Sequence, residues 1–435
     1  MTDQMDTVIV PSGPCTGQVT IPASKSRAHR LLICAALSEA ESEIICHGIS
    51  RDIQATADCL RGMGVDLTQQ EHRFLIHRPL SLSARSDREA VLPCGESGST
   101  LRFLLPVVGA LGIPAVFRME GRLPERPMDP LTKVLSEHGM QFLRCGNELH
   151  CSGTLSPGQF AIPGNISSQF VSGLLFALPL LAGSSVLQVS GEVESAAYIS
   201  MTEDALRLAG FTFKKEGTDY RIPGNQRGSM PAVLEVERDW SSAAFFCCLG
   251  AFSAAGVTVC GMNPDSVQGD RAILKLLADF GAAVHIEGNA VTVRRGNLRG
   301  LIVDASGIPD LVPVISVVAA AACGRTVIRH AERLRMKESD RLKTTAAMLS
   351  ALGADIRETV DGLIIEGAGD ASFSLPCLLG GQVSSFMDHR IAMSAAVAAS
   401  ACRQPVIVTG ARCTDKSFPG FWETLLSLQK EASRS

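Results

Sequence analysis

One spacing recurs five times along this chain. Leu-x₃-Gly closes a helix-like run and opens a strand-like one at Leu60–Gly64, Leu135–Gly139, Leu206–Gly210, Leu277–Gly281 and Leu349–Gly353. The intervals are roughly 71 to 75 residues, the sort of period that marks a repeat architecture. Glycine is the usual residue just past a helix C-terminus, because it takes the left-handed conformation cheaply. A sixth unit ends at "FWETLLSLQK" without the glycine. Each unit also opens alike, with a Ser/Thr/Asn/Asp cluster leading into a long apolar run. The six are "ASKSRAHRLLICAAL", "GESGSTLRFLLPVVGAL", "GNISSQFVSGLLFALPLL", "RDWSSAAFFCCLGAF", "SGIPDLVPVISVVAAAAC" and "FMDHRIAMSAAVAAS". Such clusters are good helix N-caps, and a helix apolar on nearly every side is a buried one. The spacing therefore predicts six units, each with one buried and one amphipathic helix between strands, divided into two domains of three.

The totals agree with an ordinary globular protein of two to three domains at 435 residues, 46% hydrophobic but only 5% aromatic. Its core must come from Leu, Val, Ile and Ala. A formal net charge of −4 argues against a general nucleic-acid binder. "MTDQMDTVIVPSG" has no basic region followed by an apolar one, so no signal peptide is expected. "SGLLFALPLLAGSSVLQV", the most apolar stretch, is broken by Pro179 and by Gly/Ser, which predicts a buried helix and strand rather than a membrane span. Fourteen cysteines without a CxxC pair point to reduced thiols and a cytoplasmic setting, and the nine histidines offer no metal-ligand spacing.

Two features depart from blandness. "RMKESDRLK" at 335–343 crowds charges of both signs into a chain that is only 19% charged. As a single helix it would set Lys337 and Arg341 at i,i+4, where like charges repel. Basic residues also stand in the first turns of buried helices, at Lys25, Arg102 and Arg390. A helix N-terminus carries partial positive charge, so cations placed there call for an anion. A site gathering these ends suits phosphates or carboxylates.

The motifs "IPASKSRAHR", "GESGSTLRF", "LPERPMDPL", "GNISSQF", "GIPDLVP", "RMKESDRL", "MDHRIAM" and "CTDKSFPGF" resemble, in order and spacing, the 5-enolpyruvylshikimate-3-phosphate synthase family over essentially the whole chain. The sister UDP-N-acetylglucosamine enolpyruvyltransferases normally carry Asn after the first Lys and a catalytic-loop Cys. Here Ser26 follows Lys25, and "RLPERPMDP" fills the corresponding region. The resemblance implies an α/β fold of two domains, each of three βαβαββ units around a pseudo-threefold axis with buried helices. It implies domains at 23–237 and at 1–22 plus 238–435, with the active site in the cleft between them. It also implies a monomer without metal or organic cofactor, acting on phosphoenolpyruvate and shikimate 3-phosphate, with no nucleic-acid or membrane partner.

Residue by residue, the resemblance implies that Lys25, Gly98, Arg126, Gln169, Arg341, Arg390 and Lys416 surround phosphoenolpyruvate. Shikimate 3-phosphate falls to Lys25, Ser26, Arg30, Ser167, Ser168, Gln169, Ser195, Tyr198, Asp310, Arg333 and Lys337. Asp310 is implied as base or orienting acceptor for the 5-hydroxyl, Glu338 as proton shuttle at the methylene carbon, and Lys25 as a sharer of proton traffic. Asp340 is expected to support these cations from behind. Three positions depart from the family pattern: Glu96 where many members have Asn, Arg333 where Asn often contacts shikimate 3-phosphate, and Phe103 where Pro is common. Arg333 can still donate to a substrate, which predicts altered affinity rather than a lost reaction, and Glu96 adds a negative charge near an anion site, unfavourable unless a cation neutralises it. Gly98 leaves room for glyphosate, the family's inhibitor. The competing readings are an enolpyruvyltransferase for another alcohol and a catalytically silent anion-binding protein.

Overall fold

The structure is a computed structural model that describes residues 6–78, 89–191, 193, 195–369 and 375–432. Twelve α-helices occur among them: α1 (Lys25–Ala36), α2 (Arg51–Gly62), α3 (Gly98–Leu111), α4 (Asp129–Glu137), α5 (Ser168–Ala177), α6 (Ala196–Leu208), α7 (Trp240–Gly250), α8 (Ile273–Phe280), α9 (Val312–Ala321), α10 (Arg341–Ala351), α11 (His389–Ala398) and α12 (Phe421–Ala432). The odd-numbered helices are the six apolar runs. All ten residues of α9 and all ten of α11 are buried. The even-numbered helices bury one face each, as α8 does with Ile273, Leu274, Leu277 and Phe280.

The five Leu-x₃-Gly spacings are helix stops. Each glycine has positive φ, from 77° at Gly210 to 108° at Gly139. Each glycine N–H donates to the carbonyl three residues back, and in four of the five the next N–H reaches the repeat leucine's carbonyl. This double bond is the Schellman arrangement, which absorbs helix-end carbonyls that would otherwise be left unpaired. The repeat leucines themselves are at most 1% exposed, so the spacing locks a core residue and a chain reversal together.

Helix starts follow the same economy. Ser24, Ser97, Ser167, Asp239 and Asp388 each accept a backbone N–H in the first turn of α1, α3, α5, α7 and α11. The helix α9 is the exception. A short 3₁₀ turn, Pro309–Leu311, leads into it with no side-chain cap, and the Asp310 carboxylate is used elsewhere.

Five four-stranded sheets and one three-stranded sheet carry these helices. In the sheet of Ala90–Gly95, Ala115–Met119, Met140–Cys145 and Glu148–Gly153, the first two strands pair in parallel and the last two form a hairpin on the second. The other four-stranded sheets repeat this order. Two borrow their first strand from far along the chain. Val233–Glu235 pairs in parallel with Ser42–Ile45, and Gly17–Thr20 with Val257–Cys260. In the three-stranded sheet, Thr7–Val10 lies antiparallel to Val406–Thr409.

The contacts divide the chain into two compact units, Ala23–Val236 and Met1–Pro22 with Glu237–Ser435. Each unit has its own apolar core. Within Ala23–Val236, α3 and α5 pack backbone to backbone. A Cβ on Gly173 would stand 2.2 Å from the Arg102 carbonyl oxygen, so only glycine permits this approach.

The helix stops predict a graded response to substitution. A Cβ on Gly64 meets nothing within 4 Å, whereas one on Gly139 falls 2.7 Å from the Thr154 carbonyl. Gly64→Ala should therefore cost only the left-handed backbone, about 1–2 kcal/mol. Gly139→Ala should cost clearly more, because backbone must move as well. Urea unfolding of both variants checks the order; equal losses would remove the steric contribution.

Candidate active site

In Ala23–Val236 the candidate residues gather around the first turns of α1, α3, α5 and α6. Lys25 opens α1, and its Nζ lies 2.9 Å from Asp52 in the first turn of α2. Gly98 opens α3, and a Cβ there would stand 2.9 Å from Nη1 of both Arg102 and Arg126. The bare Cα thus lets two guanidinium groups converge on one helix N-terminus. Arg126 comes from the extended residue after the turn Leu123–Glu125. Arg102 donates to Gln169 Oε1 at 2.7 Å and to the Pro127 carbonyl at 3.2 Å, and Gln169 Nε2 donates to Ser99 Oγ at 2.9 Å. Ser167 caps α5, with Ser168 and Gln169 as its first residues. Ser195 precedes α6 at φ +54°, a strained setting for serine that is characteristic of functional sites.

Arg30 joins these helices from inside. It is 2% exposed. Its Nε donates to Thr202 Oγ1 at 2.8 Å, Nη1 to the Ser26 carbonyl at 2.6 Å and Nη2 to the Tyr198 carbonyl at 2.8 Å. Burial pushes its pKa down to about 9, which leaves it a cation at neutral pH. Among the described residues no carboxylate lies within ion-pair reach of it.

The second set belongs to the other unit, where "RMKESDRLK" is not one helix. Glu332–Met336 is a 3₁₀ turn carrying the half-buried Arg333, Lys337 is extended, and α10 begins at Arg341. Lys337 and Arg341 are therefore not stacked on one helix, and the expected like-charge clash does not arise. Arg341, 1% exposed, is the hub. Its Nε meets Asp388 at 2.8 Å, Nη1 meets Asp310 at 2.7 Å and Nη2 meets Glu338 at 2.7 Å. Arg390 lies 3.2 Å from Asp310 Oδ2, and Lys337 3.8 Å from Oδ1. Lys416, at the end of the turn Ala411–Lys416, lies 3.8 Å from Glu338 Oε1. Burial alone would raise the Asp310 pKa. Arg390, Lys337 and Arg341 outweigh that and hold it well below the usual carboxylate range.

Some expectations need correction. The three basic helix starts do not stand without protein anions or acceptors: Lys25 has Asp52, Arg102 has Gln169 and Arg390 has Asp310. Asp340 does not back Lys337 or Arg341. It caps α10 through the Lys343 N–H and pairs with Arg335, which also holds Glu358. Asp388 does the work assigned to Asp340, fully buried and with Ser339 Oγ at 3.0 Å. Its place as the cap of α11 in "MDHR" is visible in sequence, but its pairing with a residue 47 positions earlier is not. Among the described residues, no His/Cys/Asp/Glu group is placed to hold a metal ion and no helix is long and apolar enough to cross a membrane.

Residues 9–425 match the sequence profile of the family described as EPSP synthase (3-phosphoshikimate 1-carboxyvinyltransferase). A protein of Clostridium kluyveri named 3-phosphoshikimate 1-carboxyvinyltransferase is 40% identical over 95% of both chains. One of the same name from Clostridium perfringens is 39% identical over 98% of both. The solved EPSP synthase of Acinetobacter baumannii, 27% identical, superposes with a TM-score of 0.80 over 97% of this chain and 98% of that one. By sequence and by fold, this chain belongs to the EPSP synthase family.

Proposed function

We propose that this protein transfers the enolpyruvyl group of phosphoenolpyruvate to the 5-hydroxyl of shikimate 3-phosphate, releasing phosphate, as a step of aromatic amino-acid biosynthesis. The observation that carries the reading is the Asp310–Arg341–Glu338 constellation, two carboxylates and a buried guanidinium between further cations, in a chain of this family. A protein that only bound anions would gain nothing from setting two acids among its cations.

The chemistry has two halves. In addition, the 5-oxygen bonds to C2 of phosphoenolpyruvate as its proton leaves, and C3 takes a proton to become methyl. In elimination, C3 gives up a proton, the C2–phosphate bond breaks and phosphate departs. Asp310 orients the 5-hydroxyl and accepts its proton. Held well below the usual range by three cations, it is a weak base until something draws those cations away. The phosphate and carboxylates of the substrates do that, since Lys337 receives the shikimate phosphate while Arg341 and Arg390 receive the phosphoenolpyruvate carboxylate. That carboxylate competes with Glu338 for Arg341 Nη2, and the exchange releases Glu338 to move a proton at the methylene carbon. Lys25, Arg126, Gly98 and Lys416 serve the phosphoenolpyruvate phosphate, with Gln169 between the two substrates. Arg30 and Ser26 serve the shikimate carboxylate; Ser167, Ser168 and Lys337 serve its phosphate. Ser195, Tyr198 and Arg333 complete the acceptor pocket. We place the protein in the cytoplasm as a monomer; its fourteen cysteines, nine of them buried, suit a reducing compartment.

Phosphorus NMR of the protein with phosphoenolpyruvate and shikimate 3-phosphate tests the reading. New inorganic phosphate and a shifted product phosphate are expected, with no change in a parallel UDP-N-acetylglucosamine mixture. Turnover in the second tube would move the protein to another acceptor, and turnover in neither would leave a silent binder. Asp310→Asn and Glu338→Gln should each lower kcat about 10²–10⁴-fold while shikimate 3-phosphate still binds, by titration calorimetry. Either variant turning over at the wild-type rate removes that residue from the chemistry. Gly98→Ala presses on two flexible guanidinium tips rather than on backbone. Steady-state kinetics should show KM for phosphoenolpyruvate raised several-fold, and the melting temperature should be unchanged.

A further inference from the structure

We infer that Phe103 is a positioning residue for Arg30, and that its ring sets how tightly the acceptor substrate's carboxylate is held. The inference rests on the reading above, in which Arg30 receives that carboxylate. The Arg30 guanidinium carbon stands over the Phe103 ring, 4.9 Å from its centroid. A guanidinium has five N–H donors, all in its plane. Three of Arg30's bonds use Nε, one N–H of Nη1 and one of Nη2, each to a neutral oxygen. One N–H remains on each terminal nitrogen, the number a carboxylate needs for a two-pronged grip.

The ring supplies what those bonds do not. Burying a cation among neutral oxygens is costly, and an aromatic face stabilises it electrostatically without consuming a donor. A platform beneath the plane also fixes the plane's tilt, and hence the direction of the two remaining N–H groups. Phe103 is itself well held. It is fully buried, with Phe176 edge-on at 5.5 Å and the His29 ring at 6.5 Å. Burial lowers the His29 pKa to about 3, so that neighbour is neutral and does not repel the guanidinium. Because Phe103 follows Arg102 on α3, one helix aims consecutive side chains at two groups of site residues, Arg102 at Gln169 and Phe103 at Arg30. A proline at 103, common in the family pattern, offers Arg30 no such face.

The test uses the whole protein, with shikimate 3-phosphate as the probe in titration calorimetry and in steady-state kinetics. Phe103→Leu should weaken shikimate 3-phosphate binding about tenfold, while Phe103→Tyr stays within about twofold of wild type. The KM for phosphoenolpyruvate at saturating acceptor should not follow. Phe176→Leu, which alters the same packing without touching Arg30, should lower the melting temperature and leave acceptor affinity in place. Should Phe103→Leu fail to fold, 3,4,5-trifluorophenylalanine at 103 keeps the ring's shape while draining its face. Acceptor affinity is expected to drop with it. Unchanged affinity in Phe103→Leu or in the fluorinated protein overturns the inference, as does an equal loss in Phe176→Leu. Wild-type protein that does not bind shikimate 3-phosphate at all brings down the underlying reading as well.

Discussion

A helix buried on every side has no water for the N–H groups of its first turn, and each must find a partner in the protein. Six helices here face that demand, and in five a Ser or Asp side chain at the N-cap accepts one of those N–H groups. Much of the rest follows from it. The caps concentrate polar residues at one end of each buried helix, in a protein whose cores are otherwise apolar. The same ends carry Lys25, Gly98, Ser168 and Arg390. Where the pattern breaks, at α9, the N-cap is Leu311 and the acid before it pairs with Arg341 and Arg390. A demand of folding and a demand of chemistry are answered by the same short sequences.

The Arg341 cluster is not explained by stability. Taking a guanidinium and the Asp388 carboxylate fully out of water costs several kcal/mol per ion, and their attraction does little more than offset this. What the arrangement secures is direction. Each of Arg341's three nitrogens is assigned a carboxylate, and only Asp388, wholly buried and held by Ser339, lies beyond easy exchange. The guanidinium is anchored at Nε while its two ends face the more accessible Asp310 and Glu338. Anchoring one edge and leaving the other exchangeable suits the hand-over of partners that we propose for Arg341.

Much of this was readable from the chain. The glycine spacing disclosed the helix stops because a Schellman turn is local, closing within six residues. The apolar runs disclosed the buried helices because full burial leaves no polar face to hide. The motifs disclosed the family, and with it the candidate residues. What could not be read was partnership over distance. Lys25 with Asp52, Arg102 with Gln169 and Arg341 with Asp388 span 27, 67 and 47 positions, and spacing along the chain says nothing of them. Asp340 differs: its partners, Arg335 and the Lys343 N–H, are as near in the sequence as Lys337 and Arg341, and the break between the 3₁₀ turn and α10 decides which of them it meets. The sequence marked Phe103 only as a departure; its place beneath Arg30 is a matter of packing.

The borrowed strands bear on how the molecule is assembled. Ala23–Val236 finds every strand partner within itself, down to Val233–Glu235 beside Ser42–Ile45. The other unit opens with strands whose partners are at Val257–Cys260 and Val406–Thr409. Thr7–Val10 and Gly17–Thr20 are synthesised well before their partner strands, so each waits unpaired while the residues in between are made. Closing so long a loop is slow, though lengthening it further adds little entropy. Ala23–Val236 has its described strand partners once Val233–Glu235 is made, whereas the sheet that holds Thr7–Val10 gains its central strand only with Val406–Thr409.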